Sequence, residues 1–339
     1  MLLVRNLLSD YSELVTLLRA QLAAAHGGDP EEVLDAFLLA AGANQIAEDR
    51  LHRDVLGLGK TSSVLPWRVG TAARALHAAG VALRPERRLR RHQQELAELT
   101  GRLADAVAGG PLPPLSVPEL RRVPRGLARD VVRLPNCFRS FDQHPDDCRR
   151  LAELYARRGE RPDRPLLVLG LRTSGSYLAP LTASYLRAAG FEHVETMTFR
   201  PGQRWLGAER RRLRRFGRSG GAVLLIDDPP RTGVQMRRAA DELPSLGIPA
   251  GSVLLLVPTL APGLPEPLHG LDVIQLPWEE WSVHEQLSGE MLHTKRAAAE
   301  RSHASAVYQV DGEQLLVRGV GLGYFGRHVL ALTDRKSVV

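Results

Sequence analysis

The chain has 339 residues, a formal net charge of +7 and 44% apolar residues, enough for a substantial core and two domains. It contains no run of about 18 apolar residues, which excludes an apolar membrane-spanning helix. Cys137 and Cys148 are too few for a disulfide framework, so a reduced, cytoplasmic protein is expected.

Residues 1–112 read as a helical N-terminal domain. Leu7, Tyr11, Leu14, Leu18 and Leu22 share one helical face, and residues 32–39, 69–79 and 86–107 repeat at a similar period. The opening Met1 to Arg5 runs into Asn6, Ser9 and Asp10, so no secretory signal is expected. Gly57 to Ser62 has the look of a nucleotide loop, but Asp54 stands where its first glycine is needed and no apolar strand precedes it. A helix-ending turn is the expectation there. Gly109-Gly110-Pro111-Leu112-Pro113-Pro114 marks a domain boundary.

Residues 113–304 read as a second domain. A bridge rich in polar and aromatic residues, Phe138 to Pro145, precedes a helix that Asp146 is placed to cap. From residue 165 to about 275, apolar runs alternate with helical stretches. Leu166 to Leu169, Val194 to Phe199, Val223 to Ile226 and Ser252 to Val257 are the expected strands. Such alternation implies an α/β fold with a parallel sheet flanked by helices.

Residues 305–339 read as a C-terminal appendage. It comprises a hairpin with an Asp311-Gly312 turn, a Gly-rich loop from Gly319 to Gly326, and a helical run. The loop faintly resembles the nucleotide loop of small-molecule kinases. The rest of a kinase needs on the order of 100 more residues. The appendage is therefore expected to begin a truncated further domain, or to be a hairpin packed on the sheet.

The chemistry concentrates in two loops. Val223-Leu224-Leu225-Ile226 leads into Asp227-Asp228, then Pro229-Pro230-Arg231-Thr232-Gly233-Val234-Gln235 opens a helix. Backbone N–H groups at that helix start, the Thr232 hydroxyl and a Gly233 without side chain suit a phosphate. Two carboxylates beside it suit the hydroxyls of a phosphorylated sugar. The second loop, Gly170-Leu171-Arg172-Thr173-Ser174-Gly175, brings a cation, two hydroxyls and a glycine to the end of another apolar run. Between them lie Arg200, Arg204 and an arginine-rich stretch from Arg210 to Arg218.

The Asp227 segment resembles the phosphoribosyl-pyrophosphate (PRPP) motif of type I phosphoribosyltransferases, an apolar strand, two acids, a triplet and Thr-Gly. Arg231, Val234 and Gln235 depart from the small residues usual in that motif. The Gly170 loop is similar in pattern and order to the family's pyrophosphate loop. The resemblance implies a phosphoribosyltransferase-like fold that transfers ribose 5-phosphate from PRPP to a heteroaromatic or nitrogen acceptor. It implies Asp227 and Asp228 at the ribose hydroxyls or the waters of Mg²⁺, and Arg231, Thr232, Gly233, Val234 and Gln235 at the 5′-phosphate. It places Arg172, Thr173, Ser174 and Gly175 at the pyrophosphate, and Arg200 and Arg204 in a closing lid. The metal would come with PRPP, without direct protein ligands beyond these acids.

Leu276 to Trp281 or Phe138 to His144 would supply the acceptor hood, with Trp278 stacking on the ring. The alternative is a non-catalytic PRPP- or nucleotide-sensing regulator of the same fold. The arginine bias follows from a GC-rich coding sequence as readily as from nucleic-acid binding. No helix-turn-helix is discernible, so nucleic acid is not an expected partner. A homodimer is one arrangement left open.

Overall fold

The computed structural model describes residues 8–61, 85–113, 124, 126–128, 130–133, 138, 143–259, 263–282, 305–310, 313–318 and 329–332. The chain enters on β1 (Leu8–Asp10), which pairs antiparallel with β2 (Val131–Arg133). Asp10 caps α1 (Tyr11–Ala25) by accepting from Glu13 N at 2.8 Å. Tyr11, Leu14, Leu18 and Leu22 are buried, as their helical spacing predicts. Next come α2 (Pro30–Thr61) and α3 (Pro85–Val107). Gly57 to Thr61 lie in the last turns of α2, not after a strand. The stretch 69–79 lies outside the described residues.

A regular strand–helix alternation begins after α4 (Pro145–Ala156). It runs β3 (Leu166–Leu171), α5 (Gly175–Ala188), β4 (Val194–Phe199), α6 (Gly207–Arg218), β5 (Ala222–Ile226), α7 (Val234–Glu242), β6 (Val253–Thr259) and β7 (Val273–Pro277). The five strands form one parallel sheet in the order β4-β3-β5-β6-β7. The chain steps outward from β3 to β4, then returns past β3 to β5. Right-handed crossovers in opposite directions put helices on opposite faces.

Strand residues alternate accordingly. Leu166, Val168, Leu224 and Ile226 face a core shared with α1–α5, while Leu167, Leu169, Val223 and Leu225 face α6 and α7. The first of these cores is continuous from Tyr11 to Leu276, so α1–α3 bury their apolar faces in the same cluster as the sheet. Arg187 on α5 reaches Asp105 on α3 at 2.6 Å. Arg187 also donates to the Val194 carbonyl at 3.4 Å, and Arg212 on α6 donates to the Thr196 carbonyl at 3.0 Å.

Two local expectations are corrected. The cap of α4 is His144, whose Nδ1 accepts from Asp146 N while Asp147 accepts from His144 N at 2.7 Å. Asp147 is buried and also holds Ser282 N at 2.7 Å, which recruits it to the reciprocal position. The helical run expected after residue 326 contains β10 (Val329–Leu332), which pairs antiparallel with β9 (Glu313–Arg318), itself paired with β8 (Ser305–Val310). A neighbouring strand edge outweighs local helical spacing there. The Asp311-Gly312 turn and the Gly-rich loop lie outside the described residues. The arginine-rich stretch forms α6, which Leu213 and Phe216 bury on the sheet.

Candidate functional site

Strand order reverses between β3 and β5, so the loops leaving their carboxyl ends diverge to opposite faces and leave a crevice. Open α/β sheets bind ligands at such a point. Both chemistry-bearing loops open into it.

The β3 loop turns within a few residues. A Cβ on either Gly170 or Gly175 would collide with the backbone of the other, so only a glycine pair allows this return. The Arg172–Thr173 peptide is cis. Ser174 occupies the N-cap of α5 but makes no cap hydrogen bond. Its hydroxyl instead donates to Asp228 Oδ2 across the crevice. That contact joins the two loops.

Asp227 and Asp228 follow β5 directly and are half-buried. Burial pushes both carboxyls above the ordinary range. Asp227 is raised further by the charge of Asp228, while Ser174 partly offsets the rise at Asp228. The loop ends at Gly233, the N-cap of α7, with φ of 69° in the left-handed region. A Cβ there would also lie 2.8 Å from Leu268 Cγ. Arg231, Thr232, Val234 and Gln235 are exposed around this helix start, Val234 to 52%.

Arg172 and Arg200 meet elsewhere. The Arg172 side chain is fully buried, and its Nη1 lies 3.2 Å from Asp49 Oδ1 and 3.5 Å from Glu48 Oε2. Its Nε and Nη2 have no hydrogen-bond partner. Arg200 forks onto Asp49, Nε to Oδ1 at 3.0 Å and Nη2 to Oδ2 at 2.6 Å. Thr198 Oγ1 donates to Glu48 Oε2 at 2.5 Å. Burial raises the Glu48 carboxyl, against the pull of Arg172 and Thr198. Helix α2 therefore docks two acids on the ends of β3 and β4. Sequence reasoning missed them, because two acids within a helix carry no sign of what they face.

Arg204 is exposed and makes none of these contacts. Just beyond it, Trp205 is pinned by stacking on Phe199 at 4.5 Å and by donating to Glu242 Oε1 at 2.7 Å. For the expected hood, Phe138 and Trp281 are buried in the core, and Trp281 Nε1 donates to Leu276 O at 3.1 Å. Neither ring face is presented to the crevice. The Trp278 side chain and residues 139–142 lie outside the described residues.

Among the described residues no group of three or more His, Cys, Asp or Glu side chains could hold a metal, and no helix is long and apolar enough to cross a membrane. Two adjacent carboxyls are too few for an all-protein Mg²⁺ cage. They do fit an ion that keeps its waters and arrives on a phosphate. A scan of protein-family models finds no match to the chain, and a search of curated proteins finds none either.

Proposed function

We propose that the protein transfers ribose 5-phosphate from PRPP to a nitrogen acceptor and releases pyrophosphate. One observation carries the reading. Two acids and a left-handed Thr-Gly helix start leave β5 at the reversal of the sheet, bonded through Asp228 to the Ser174 loop of β3. On this reading the exposed start of α7 takes the 5′-phosphate. Asp227 and Asp228 hold the ribose hydroxyls, and the loop from Thr173 to Gly175 faces the pyrophosphate, without the side chain of Arg172. When bound, Mg²⁺ would neutralise charge on the pyrophosphate.

The transition state of such a transfer builds positive charge at the anomeric carbon. Fixed carboxylates beside the ribose stabilise it without reorganisation. The chain otherwise works by positioning, because the reaction needs no covalent help from the protein. The acids must be ionised to act, so their raised position predicts activity that climbs with pH above the usual carboxylate range.

Pyrophosphate release from PRPP and Mg²⁺ with a panel of nitrogen heterocycles tests the reading. Asp227→Asn with Asp228→Asn should lower turnover by roughly two orders of magnitude, the scale of losing preorganised electrostatic contacts. Equal turnover in the folded double variant would overturn the assignment. Tight PRPP binding without release, across the panel, would favour the sensing regulator. The tie of Arg172 and Arg200 to α2 speaks for that second reading, since the Arg200 fork and the Arg172 Nη1 are already engaged by carboxylates.

A further inference from the structure

The surplus charge of the chain is gathered in one stretch. Residues 200–248 hold eleven arginines against five acids, a surplus of six where the whole chain carries +7. Four of those acids are engaged elsewhere, Glu209 by His52 and Leu206 N, Asp241 by Arg237, Glu242 by Trp205 and Asp228 by Ser174. On α6 itself, six of the nine residues from Arg210 to Arg218 are arginines. Arg212 pairs with Glu195 on β4. Arg210, Arg211, Arg214, Arg215 and Arg218 are exposed, and among the described residues none of the five has an ion pair.

At 3.6 residues per turn these five share an arc of about 140° on the side of α6 opposite Leu213 and Phe216, which lie against the sheet. No other side chain between Arg210 and Arg218 interrupts that arc. Like charges four residues apart repel, and Arg210 with Arg214, Arg214 with Arg218 and Arg211 with Arg215 all stand so. The helix dipole favours cations in the last turn, which accounts for Arg215 and Arg218 alone. The folded chain therefore holds a repulsion that a row of anions from outside would relieve. No exposed apolar residue lies among the arginines to enter lipid, and no aromatic ring to stack a base. Arg210 to Arg218 rise only about 12 Å, and duplex binding at physiological salt is built on longer rows of phosphates. Glu195 borders the helix on the β4 side and would repel a wide polyanion. A second helix matches the arc in width, and its carboxylates at i and i+4 repeat at the same rise of about 6 Å. Each guanidinium fork can take a carboxylate through two N–H groups.

We infer that the outer face of α6 docks an acidic helix of a partner protein, with glutamates or aspartates at i, i+4 spacing laid along Arg210, Arg214 and Arg218. The inference stands on the charge pattern of α6 and holds whether or not the crevice takes PRPP.

The probe is an alanine-based helical peptide with glutamates at i, i+4 spacing, labelled for fluorescence anisotropy and titrated with the full chain at about 0.1 M salt. A peptide of the same composition with glutamates at i, i+2 spacing, a duplex oligonucleotide and vesicles containing anionic lipid are the comparisons. The i, i+4 peptide should bind more tightly than all three. Replacing Arg210, Arg214 and Arg218 together by Gln should weaken it about tenfold, the sum of three exposed ion pairs. Replacing Arg91, Arg157 and Arg161 by Gln removes the same charge from other exposed sites and should leave the affinity within about twofold. If the α6 triple variant does not fold, Arg211→Gln with Arg215→Gln reads the neighbouring row. Equal binding of the i, i+2 peptide, tighter binding of the duplex or the vesicles, an equal loss in the control triple, or no peptide binding at millimolar concentration would overturn the inference. None of these readouts uses PRPP, so a failure here leaves the transferase assay to be judged separately.

Discussion

At the scale of single residues, the carboxyls of Asp227 and Asp228 sit side by side, half out of water, and both hold their protons above the ordinary 3.8. Unfolding returns each to that ordinary value. Between it and the raised value the folded chain binds more protons than the unfolded one, so this contribution to stability falls as pH rises through the window. Asp227→Asn removes the penalty. It is expected to raise stability by about 0.5–2 kcal/mol at neutral pH, at the expense of activity. The gain should vanish at pH below the ordinary carboxylate value, and urea unfolding across pH will show whether it does. Gly233 is a second sensitive position. Gly233→Ala forces a side chain into the left-handed region and against Leu268, and should cost about 1–3 kcal/mol by the same measurement.

At the scale of elements, the fixed points of the expected lid stand out. α6 is held by Leu213 and Phe216, and Trp205 is held by Phe199 and Glu242. Only the short stretch from Pro201 to Arg204 lies between those anchors and β4. Hydrogen exchange should therefore show gained protection with PRPP and Mg²⁺ at residues 202–204 and none along α6. Protection spread through 207–218 would contradict this. Asp49 is the second test at this scale. Asp49→Ala strips the fully buried Arg172 of its shorter ion pair and Arg200 of its fork, a loss of at least about 3 kcal/mol in urea unfolding. The strands were legible because Leu166 to Leu169, Val223 to Ile226 and Val253 to Val257 are continuous apolar runs, which two-sided burial demands. The two crevice loops were legible because glycine, acid and hydroxyl types each have a local reason to follow such a strand. The seat of α2 was not. Its apolar stripe says that it packs, while Glu48 and Asp49 name no partner until β3 and β4 are adjacent.

At the scale of the whole molecule, the Gly-Pro break at 109–114 suggested separable halves, yet Tyr11 and Leu14 share a core cluster with Leu224 and Ile274. A break in the chain records where an element ends, not whether its apolar face finds a partner across the break. One hydrophobic cluster should melt as one. Thermal unfolding of α1–α3 and of the sheet is expected as a single transition, followed by exchange at Leu18 and Leu225 amides. Two resolved transitions would show that the shared cluster is not what couples them.

The outer side of β4 has a consequence for self-association. A parallel edge strand presents every second carbonyl outward, unpaired, as a template for a foreign strand. On β4 those are the carbonyls of Val194, Thr196 and Thr198, and the guanidinium groups of Arg187 and Arg212 already occupy the first two. A visiting strand would have to displace two side chains, each also held by an acid, Asp105 or Glu195. The sheet is thus terminated chemically as well as geometrically on that side. Losing both arginines should open this edge and promote strand-to-strand association.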